Sequence, residues 1–280
     1  MVASAHPTFT QAGQASLAVE LVFRASTVTA AYATSPMKLL TPRARGPSVW
    51  AFTSSFGGGL LAGDETRLDL RLGAGARCFV GTQASTKIYR NPDARPCGHI
   101  TRATVGEGAL LVFAPEAVQA FAGSRYAQRQ QFHLAPGSGL ALVDWFDSGR
   151  AARGERWAFQ RFESRNEVFV DQDCRWLDSL LLDPGDGPIG ATHRTGRFDC
   201  FALVALIGAP LHSAAERLLA EIAARPIAGR APLVCSASPL HDGALLRLAG
   251  ERHEDVAREI QNQLVFLGEL LGDDPWARKW

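Results

Sequence analysis

Alternating apolar and polar residues mark short strands along the first two thirds of the chain. The alternation begins at Leu17, from which every second residue up to Phe23 is apolar, and it returns at residues 68–72. A period of two is typical of a strand that buries one face and exposes the other. Further strands, separated by turn signals, are predicted at residues 109–113, 126–134, 140–145, 157–162 and 168–171.

Glycine- and proline-containing turns separate these strands, at residues 73–75, 106–108 and 136–139. Short strands with regularly spaced turn signals predict a mainly β, antiparallel body, folded into two facing sheets or into a β-helix-like coil. No repeat of constant length is visible, so the pattern does not predict a regular solenoid. Because no linker-like change in composition occurs, we expect residues 1–280 to form a single domain, with residues 1–13 disordered.

Two α-helices are predicted in the C-terminal third. Ser213 and Glu216 have the spacing of a capping box, and the apolar stripe that follows ends before Pro226. A second apolar stripe runs from Val256 to Leu271.

The C-terminal tail, residues 273–280, contains Trp276 and Trp280. Tryptophans near a chain end are enriched at protein interfaces, and they also anchor tails to a protein's own surface. Both interpretations of Trp276 and Trp280 stay open at this point.

The charges of the chain nearly cancel. Twenty-nine basic and 28 acidic side chains leave a formal net charge of +1, and we do not expect nucleic acid as a partner, because it requires a concentrated basic face. The apolar stretch 201–207 is too short for a membrane span, and no signal peptide is recognisable. Five cysteines without a close pair indicate a reducing compartment, and we expect a cytoplasmic protein.

Residues 54–90 form the most unusual stretch, because four glycines lie at positions 57, 58, 59 and 63. Glycine allows positive φ and close backbone contacts at an entropic cost. The stretch is not a phosphate-binding P-loop, since Asp64 and Glu65 stand where that loop needs lysine and a hydroxyl. It is not a dinucleotide-binding turn either, because a strand follows where a helix is required.

Several acidic residues stand in glycine-rich or apolar surroundings: Asp64, Glu65, Asp144 and Glu167. Buried carboxylates need partners or a wet cavity. One interpretation is structural, with neutralisation by Arg67, Lys87, Arg90, Arg150 or Arg165. In the other, a loose line of carboxylates passes a divalent cation without holding it tightly.

Cys97 and His99 are the nearest approach to a metal-binding pair. Cys97 falls in the polar stretch 91–98, which we interpret as a solvated turn, because a closed site needs about four ligands. A carbohydrate-active enzyme is a further alternative, with Asp64 or Glu65 paired with Asp144 or Asp147. A protein-interaction scaffold without a metal role is the third.

Motifs in a fixed order resemble the urease accessory protein D family, called UreH in some bacteria. The resemblance spans about residues 17–182, and its motifs stand at residues 35–40, 57–64, 82–90, 115–118 and 144–155. It implies a fold with two β-sheets in a coiled, β-helix-like arrangement and two helices. It also implies a maturation chaperone without enzymatic activity or a tightly bound cofactor, in a hetero-oligomer with apo-urease and the accessory proteins F and G, delivering Ni²⁺ as transient cargo.

The family's proposed nickel route is an internal channel, and four residues correspond to it by position. Asp64 is the first acid after the glycines, and Thr86 is the hydroxyl before the lysine of the 82–90 motif. Asp144 ends an apolar strand, and Glu167 precedes a later one. The resemblance thus implies that all four residues line the channel.

Overall fold

The computed structural model describes residues 11–278. In this part of the chain the structure contains 20 strands and three α-helices, with the following bounds. The strands are β1 (Gln11–Val22), β2 (Ala25–Ala33), β3 (Met37–Leu40), β4 (Val49–Ser55), β5 (Gly59–Leu60), β6 (Asp64–Leu72), β7 (Arg77–Thr82), β8 (Thr86–Ile88), β9 (Cys97–Val105), β10 (Leu110–Phe113), β11 (Val118–Ala120), β12 (Arg125–Leu134), β13 (Gly139–Asp147), β14 (Gly149–Arg150), β15 (Glu155–Arg156), β16 (Arg161–Val170), β17 (Asp173–Leu182), β18 (Cys200–Ile207), β19 (Leu233–Leu240) and β20 (Gly243–Gly250). The helices are α1 (His212–Ala224), α2 (His253–Gln263) and α3 (Leu267–Leu271).

Two large sheets face each other. The smaller sheet has seven strands in the order β17-β16-β12-β9-β6-β1-β2. The larger sheet has 11 strands, and its main path runs β19-β20-β18-β13-β10-β7-β4-β3. The chain moves from one sheet to the other and back, so that β6, β9, β12 and β16 run parallel in one sheet and β7, β10 and β13 run parallel in the other.

The β-helix-like arrangement of two facing sheets with C-terminal helices is therefore confirmed, whereas the antiparallel pairing predicted for the body is wrong. The coils of the chain also differ in length. Leu72 pairs with Val105, Val105 with Leu134, and Leu134 with Val170. Apolar residues of successive coils therefore stack side by side. No constant repeat appears in the sequence, because the number of residues between these partners differs from coil to coil.

Apolar side chains fill two layers. Between the sheets lies a core that includes Leu70, Phe113, Phe132 and Val168. Between the outer face of the larger sheet and the helices lies a second core, in which Leu218 of α1 belongs to the same cluster as strand residues of that sheet. Burying apolar surface in both layers is the main favourable term in folding such a chain.

Several local predictions differ from the structure. Residues 11–13 belong to β1, and residues 1–10 of the segment predicted to be disordered lie outside the described residues. Only the last two residues of the strand predicted at 157–162 are in β16, because Trp157 has a φ of 54° and residues 157–160 form a connection. The strand predicted at 168–171 is the end of β16, which Asp171 terminates at a φ of 49°.

The helices also depart from their sequence signals. Helix α1 begins at His212 directly after a short 3₁₀ turn, so Ser213 already lies inside it and no side chain caps its N-terminus. The second predicted helix is divided into α2 and α3, although Leu264 and Leu267 on either side of the break are both fully buried. No helix in residues 11–278 has the length and apolar character needed to cross a bilayer.

Candidate functional site

The glycine stretch shapes the connection between β4 and β6. Gly57, Gly58 and Gly63 have φ values of 78°, 72° and 82°, which glycine adopts without steric cost. Gly59 is required for a different reason, since a Cβ atom there would lie 2.3 Å from the carbonyl oxygen of Lys87. These glycines thus bring β5 against β8, using both the positive φ and the close backbone contact that glycine allows.

Polar side chains cross the inner face of the smaller sheet in two adjacent rows. Strand register places the members of each row side by side. The first row is Thr66, His99, Gln128 and Ser164, and the second is Thr101, Gln130, Asn166 and Asp178. Inward-facing positions nearer the ends of these strands are largely apolar. The rows therefore form a polar belt across an otherwise apolar interior.

Asp144 of β13 faces this belt from the larger sheet. Its Oδ1 accepts a hydrogen bond from Gln128 Nε2 (2.9 Å), and its Oδ2 accepts bonds from Ser164 Oγ (2.7 Å) and Asn166 Nδ2 (2.8 Å). The side chain is buried, and within residues 11–278 it forms no ion pair. Neutral donors alone thus satisfy a buried carboxylate, so its negative charge is available to a cation.

The imidazole of His99 in the belt and the phenol of Tyr126 beside it are both held in neutral form. His99 Nδ1 lies 2.7 Å from Thr66 Oγ1 and its Nε2 lies 3.0 Å from Thr101 Oγ1. Burial lowers the pKa of His99 to about 4, so the imidazole is uncharged near neutral pH. Tyr126 donates its hydroxyl to Gln128 Oε1 at 3.1 Å, and burial raises its pKa well above the ordinary value. The belt consequently presents oxygen and nitrogen lone pairs without positive charge.

Two cavities meet at Asp144. The first has a volume of about 90 Å³ and is lined by residues of the belt together with Thr86, Ser85 and Glu116. The second has a volume of about 490 Å³ and is lined by side chains that include Asp178 and Arg247. Burial raises the pKa of Asp178, and the charge of Asp144 raises it further. Asp144 thus belongs to the linings of both cavities.

The structure brings together two of the four residues that the resemblance implies as channel residues. Thr86 and Asp144 both line the first cavity. Asp64 is the first residue of β6 and accepts a hydrogen bond from the backbone N–H of Leu61 at 2.8 Å. It therefore holds the turn that follows the glycines, two residues before Thr66, which lines the cavity.

Glu167 does not line this interior, and its prediction as a channel residue is corrected here. It lies between the inward-facing Asn166 and Val168, on the outer face of the smaller sheet. Arg129 Nε and Arg165 Nη2 each donate to it at 3.0 Å. Burial raises its pKa, but the two arginines outweigh that effect and hold the pKa below the ordinary value.

The ion-pair interpretation therefore holds for some of the acids and not for others. Glu65 is paired with Arg67, whose Nε lies 2.6 Å from Glu65 Oε1, and Glu167 is paired as described above. Arg150 binds Glu155 instead of any of the four acids. Asp144 is the buried acid that none of the suggested arginines or lysines neutralises in the described part of the chain.

Cys97 and His99 lie in strand β9 and not in a solvated turn. Burial raises the pKa of the Cys97 thiol to about 12, which keeps it protonated. Across residues 11–278 the structure contains no group of three or more histidine, cysteine, aspartate or glutamate side chains that could hold a metal ion.

Asp147 faces away from Asp144, because the two residues point to opposite sides of β13. It accepts bonds from the Gly149 N–H and from Gln119 Nε2, and its Oδ2 lies 3.7 Å from His253 Nδ1. A carbohydrate-active enzyme would need Asp64 or Glu65 opposite Asp144 or Asp147. Asp147 lies on the outer side of the larger sheet and Glu65 on the outer side of the smaller sheet, so neither faces a partner carboxylate across the interior.

Asp147 should make stability depend on pH. Burial raises its pKa to about 6, so the folded state binds this proton more tightly than the unfolded state. The contribution of Asp147 to the stability of the folded state therefore falls as pH rises from about 4 to about 6. We expect Asp147→Asn to be about 1–2 kcal/mol more stable than the parent chain at pH 8, with the difference disappearing near pH 4.

Urea denaturation across this pH range measures the effect. Asp173→Asn is the matched control, because it makes the same substitution at an exposed position. If the difference in the free energy of unfolding between Asp147→Asn and the parent did not change with pH, the raised pKa of Asp147 would be contradicted.

Trp276 packs against the second core, with its ring centroid 6.2 Å from that of Phe79. It therefore anchors the C-terminal tail, and the interpretation as a partner surface is not needed to explain it. Trp280 lies outside the described residues.

Among the belt residues, the sequence singles out His99 alone as a candidate. The predicted strand at 126–134 already places Gln128 and Gln130 on the same side as Phe132 and Leu134. Two amides at buried positions of an alternating strand are the available signal, since buried polar groups require partners. Which partners they find depends on strands distant in sequence, and no local pattern specifies those.

The fold and the site together define a coiled, two-sheet β protein with a carboxylate-centred polar interior. A sequence model of the family described as UreD urease accessory protein matches residues 11–280. The chain therefore belongs to the UreD family of urease accessory proteins.

Similar proteins span nearly the whole chain. The urease accessory protein UreD of Sorangium cellulosum (strain So ce56) is 46% identical over 271 residues, covering 96% of this chain and 85% of the relative. That of Anaeromyxobacter sp. (strain Fw109-5) is 41% identical over 268 residues, covering 96% and 90%. The urease accessory protein D of Oryza sativa subsp. indica is 31% identical, covering 99% of each chain.

Proposed function

We propose that the chain is a chaperone of urease maturation that passes Ni²⁺ along the polar belt between its two sheets. The observation that carries this proposal is Asp144, a buried carboxylate held by three neutral donors where two cavities meet. A divalent cation entering a low-dielectric interior needs a negative charge that is not already neutralised. Asp144 supplies such a charge.

The belt also supports release of the cation. Oxygen and imidazole nitrogen atoms suit Ni²⁺ as ligands, and the belt offers them as hydroxyls, amides and the neutral His99. A cluster of three strong ligands would retain the ion, and none is formed in residues 11–278. In this route Thr86 contributes a neutral oxygen near the entrance and Asp64 contributes negative charge beside it, while Glu167 has no part.

The maturation role extends to partners. We propose that the chain binds apo-urease in a cytoplasmic hetero-oligomer with the accessory proteins F and G, and that protein G supplies GTP hydrolysis. The names of the relatives support a link to urease, and the glycine stretch, which lacks the lysine of a nucleotide-binding loop, supports assigning GTP hydrolysis to another protein. The chain itself then acts by binding and guiding the ion, without catalysis of its own.

Replacement of Asp144 by asparagine tests the route. Asparagine has nearly the same shape and removes the charge, so we expect urease activation and nickel content to fall at least tenfold in cells expressing the variant with the other urease proteins. Co-purification of apo-urease should be unchanged. The control is Glu216→Gln on the exposed face of α1, which should activate urease as the parent does.

Two outcomes would count against the proposal. Full activation by Asp144→Asn would show that the buried charge is not used by the ion. Failure of the parent chain to co-purify with urease or the accessory proteins would remove the maturation role itself. Circular dichroism and urea denaturation of the variant distinguish a lost route from a lost fold.

A further inference from the structure

Arginines form a row across the outer face of the smaller sheet. Strand register places Arg67 beside Ile100, Ile100 beside Arg129, and Arg129 beside Arg165. The row crosses three strand spacings, about 14 Å. Directly opposed like charges destabilise a strand pair, so this arrangement needs an explanation beyond the packing of the sheet.

Carboxylates beneath the row remove part of that repulsion without cancelling the exposed charge. The side chains of Glu65 and Glu167 are only 4% and 7% exposed, whereas those of Arg67, Arg129 and Arg165 are 47%, 48% and 42% exposed. The solvent therefore meets the guanidinium groups and not the acids. In addition, Arg165 Nε is buried and has no hydrogen-bond acceptor in the described residues.

A shallow groove of about 570 Å³ continues the positive surface. Its lining includes Arg71, Arg102 and His133 from β6, β9 and β12, together with the single acid Asp69. The described helices pack against the larger sheet, on the opposite side of the molecule. Within residues 11–278, this face of the smaller sheet is thus without a covering helix.

We propose that the arginine face docks the carboxylate-rich surface of a protein partner. Guanidinium groups bind carboxylates through paired hydrogen bonds, and arginine is enriched where proteins meet. Exposed apolar side chains on the same face favour a protein over a phosphate polymer, since Leu177 and Leu181 of β17 are each nearly half exposed. This inference does not depend on the nickel route.

Charge reversal of Arg71 and Arg102 tests the surface. Neither residue neutralises Glu65 or Glu167, so the double variant Arg71→Glu/Arg102→Glu should fold like the parent. The probe is fluorescently labelled poly-L-glutamate, titrated into the full chain at low and at high salt. We expect the double variant to bind it at least tenfold more weakly than the parent, and binding by the parent to weaken with salt.

Arg217→Glu is the matched control, because Arg217 is exposed on helix α1 and lies away from this sheet. It should bind poly-L-glutamate as the parent does. Arg129→Lys keeps the positive charge but removes the planar guanidinium group, which can donate two parallel hydrogen bonds. A loss of binding in this variant would therefore support paired hydrogen bonds between guanidinium and carboxylate groups.

Unchanged binding by the double variant would overturn the inference. It would also be overturned if inorganic polyphosphate or duplex DNA bound the parent more tightly than poly-L-glutamate at the same ionic strength. Co-purification of the double variant with urease proteins is measured separately. Retention of apo-urease by the parent, with equal retention by the variant, would leave the maturation role standing and reject the arginine face as its docking surface.

Discussion

Substitution of Gly59 by alanine is expected to lower the free energy of unfolding by about 3 kcal/mol, the scale of an overpacked core. The added Cβ would lie 2.3 Å from the Lys87 carbonyl oxygen and 2.7 Å from Tyr89 Cε2. A carbonyl in a strand pair cannot move without breaking the contact between β5 and β8. Because Thr86 and Gly58 line the first cavity, the same shift should also reduce urease activation.

Two other glycines provide graded controls for this variant. At Gly58 a Cβ would meet open space, but φ is 72°, so alanine there should cost about 1 kcal/mol of backbone strain. At Gly229 a Cβ meets nothing within 4 Å and φ lies outside the left-handed region, so alanine should be nearly neutral. Urea denaturation ranks the three variants by their free energy of unfolding. Equal stability of Gly59→Ala and Gly229→Ala would contradict the close contact between position 59 and the Lys87 carbonyl oxygen.

Replacement of Phe132 by alanine should destabilise the chain by about 4 kcal/mol, the loss typical of a large buried ring. Phe132 is fully buried between the sheets, and its ring centroid lies 5.6 Å from that of Phe113 on the facing sheet. The ring therefore joins the two sheets, and its loss leaves a cavity that the rigid strands cannot close.

Thermal or urea denaturation measures this loss. Leu177→Ala on the outer face of β17 removes a half-exposed side chain and should cost less than about 1 kcal/mol. Similar losses for the two variants would mean that the inter-sheet core does not depend on Phe132.

The sequence allows the strands to be predicted better than their pairing. Alternation at residues 126–134 indicates β12 correctly, because period two directly reflects which side chains face the core. The short apolar run at residues 140–145 indicates β13, which is buried on both faces. Pairing depends on where each coil returns, and no turn signal encodes that β6 lies beside β9 with β7 on the other sheet. The antiparallel prediction failed for this reason.

For the candidate site, the sequence indicates which acids are buried, but not which face of the sheet they occupy. The apolar run before Asp144 indicates burial, and burial is found. Glu167 also stands next to an apolar run, residues 168–170, but alternation in β16 turns it to the outer face, where Arg129 and Arg165 hold it. The direction of a single side chain on a strand thus separates an interior charge from a surface ion pair, and it requires the register to be known.

The order in which the two cores are completed has a consequence for biosynthesis. Trp50 and Phe79 lie on the face of the larger sheet that α1, α2 and α3 cover, and those helices come last in the chain. A ribosome therefore releases most of the sheet before its cover exists, and during that interval the nascent chain carries an open aromatic surface prone to aggregation. Efficient production then depends on rapid completion of the C-terminal third or on a holding chaperone at the ribosome exit.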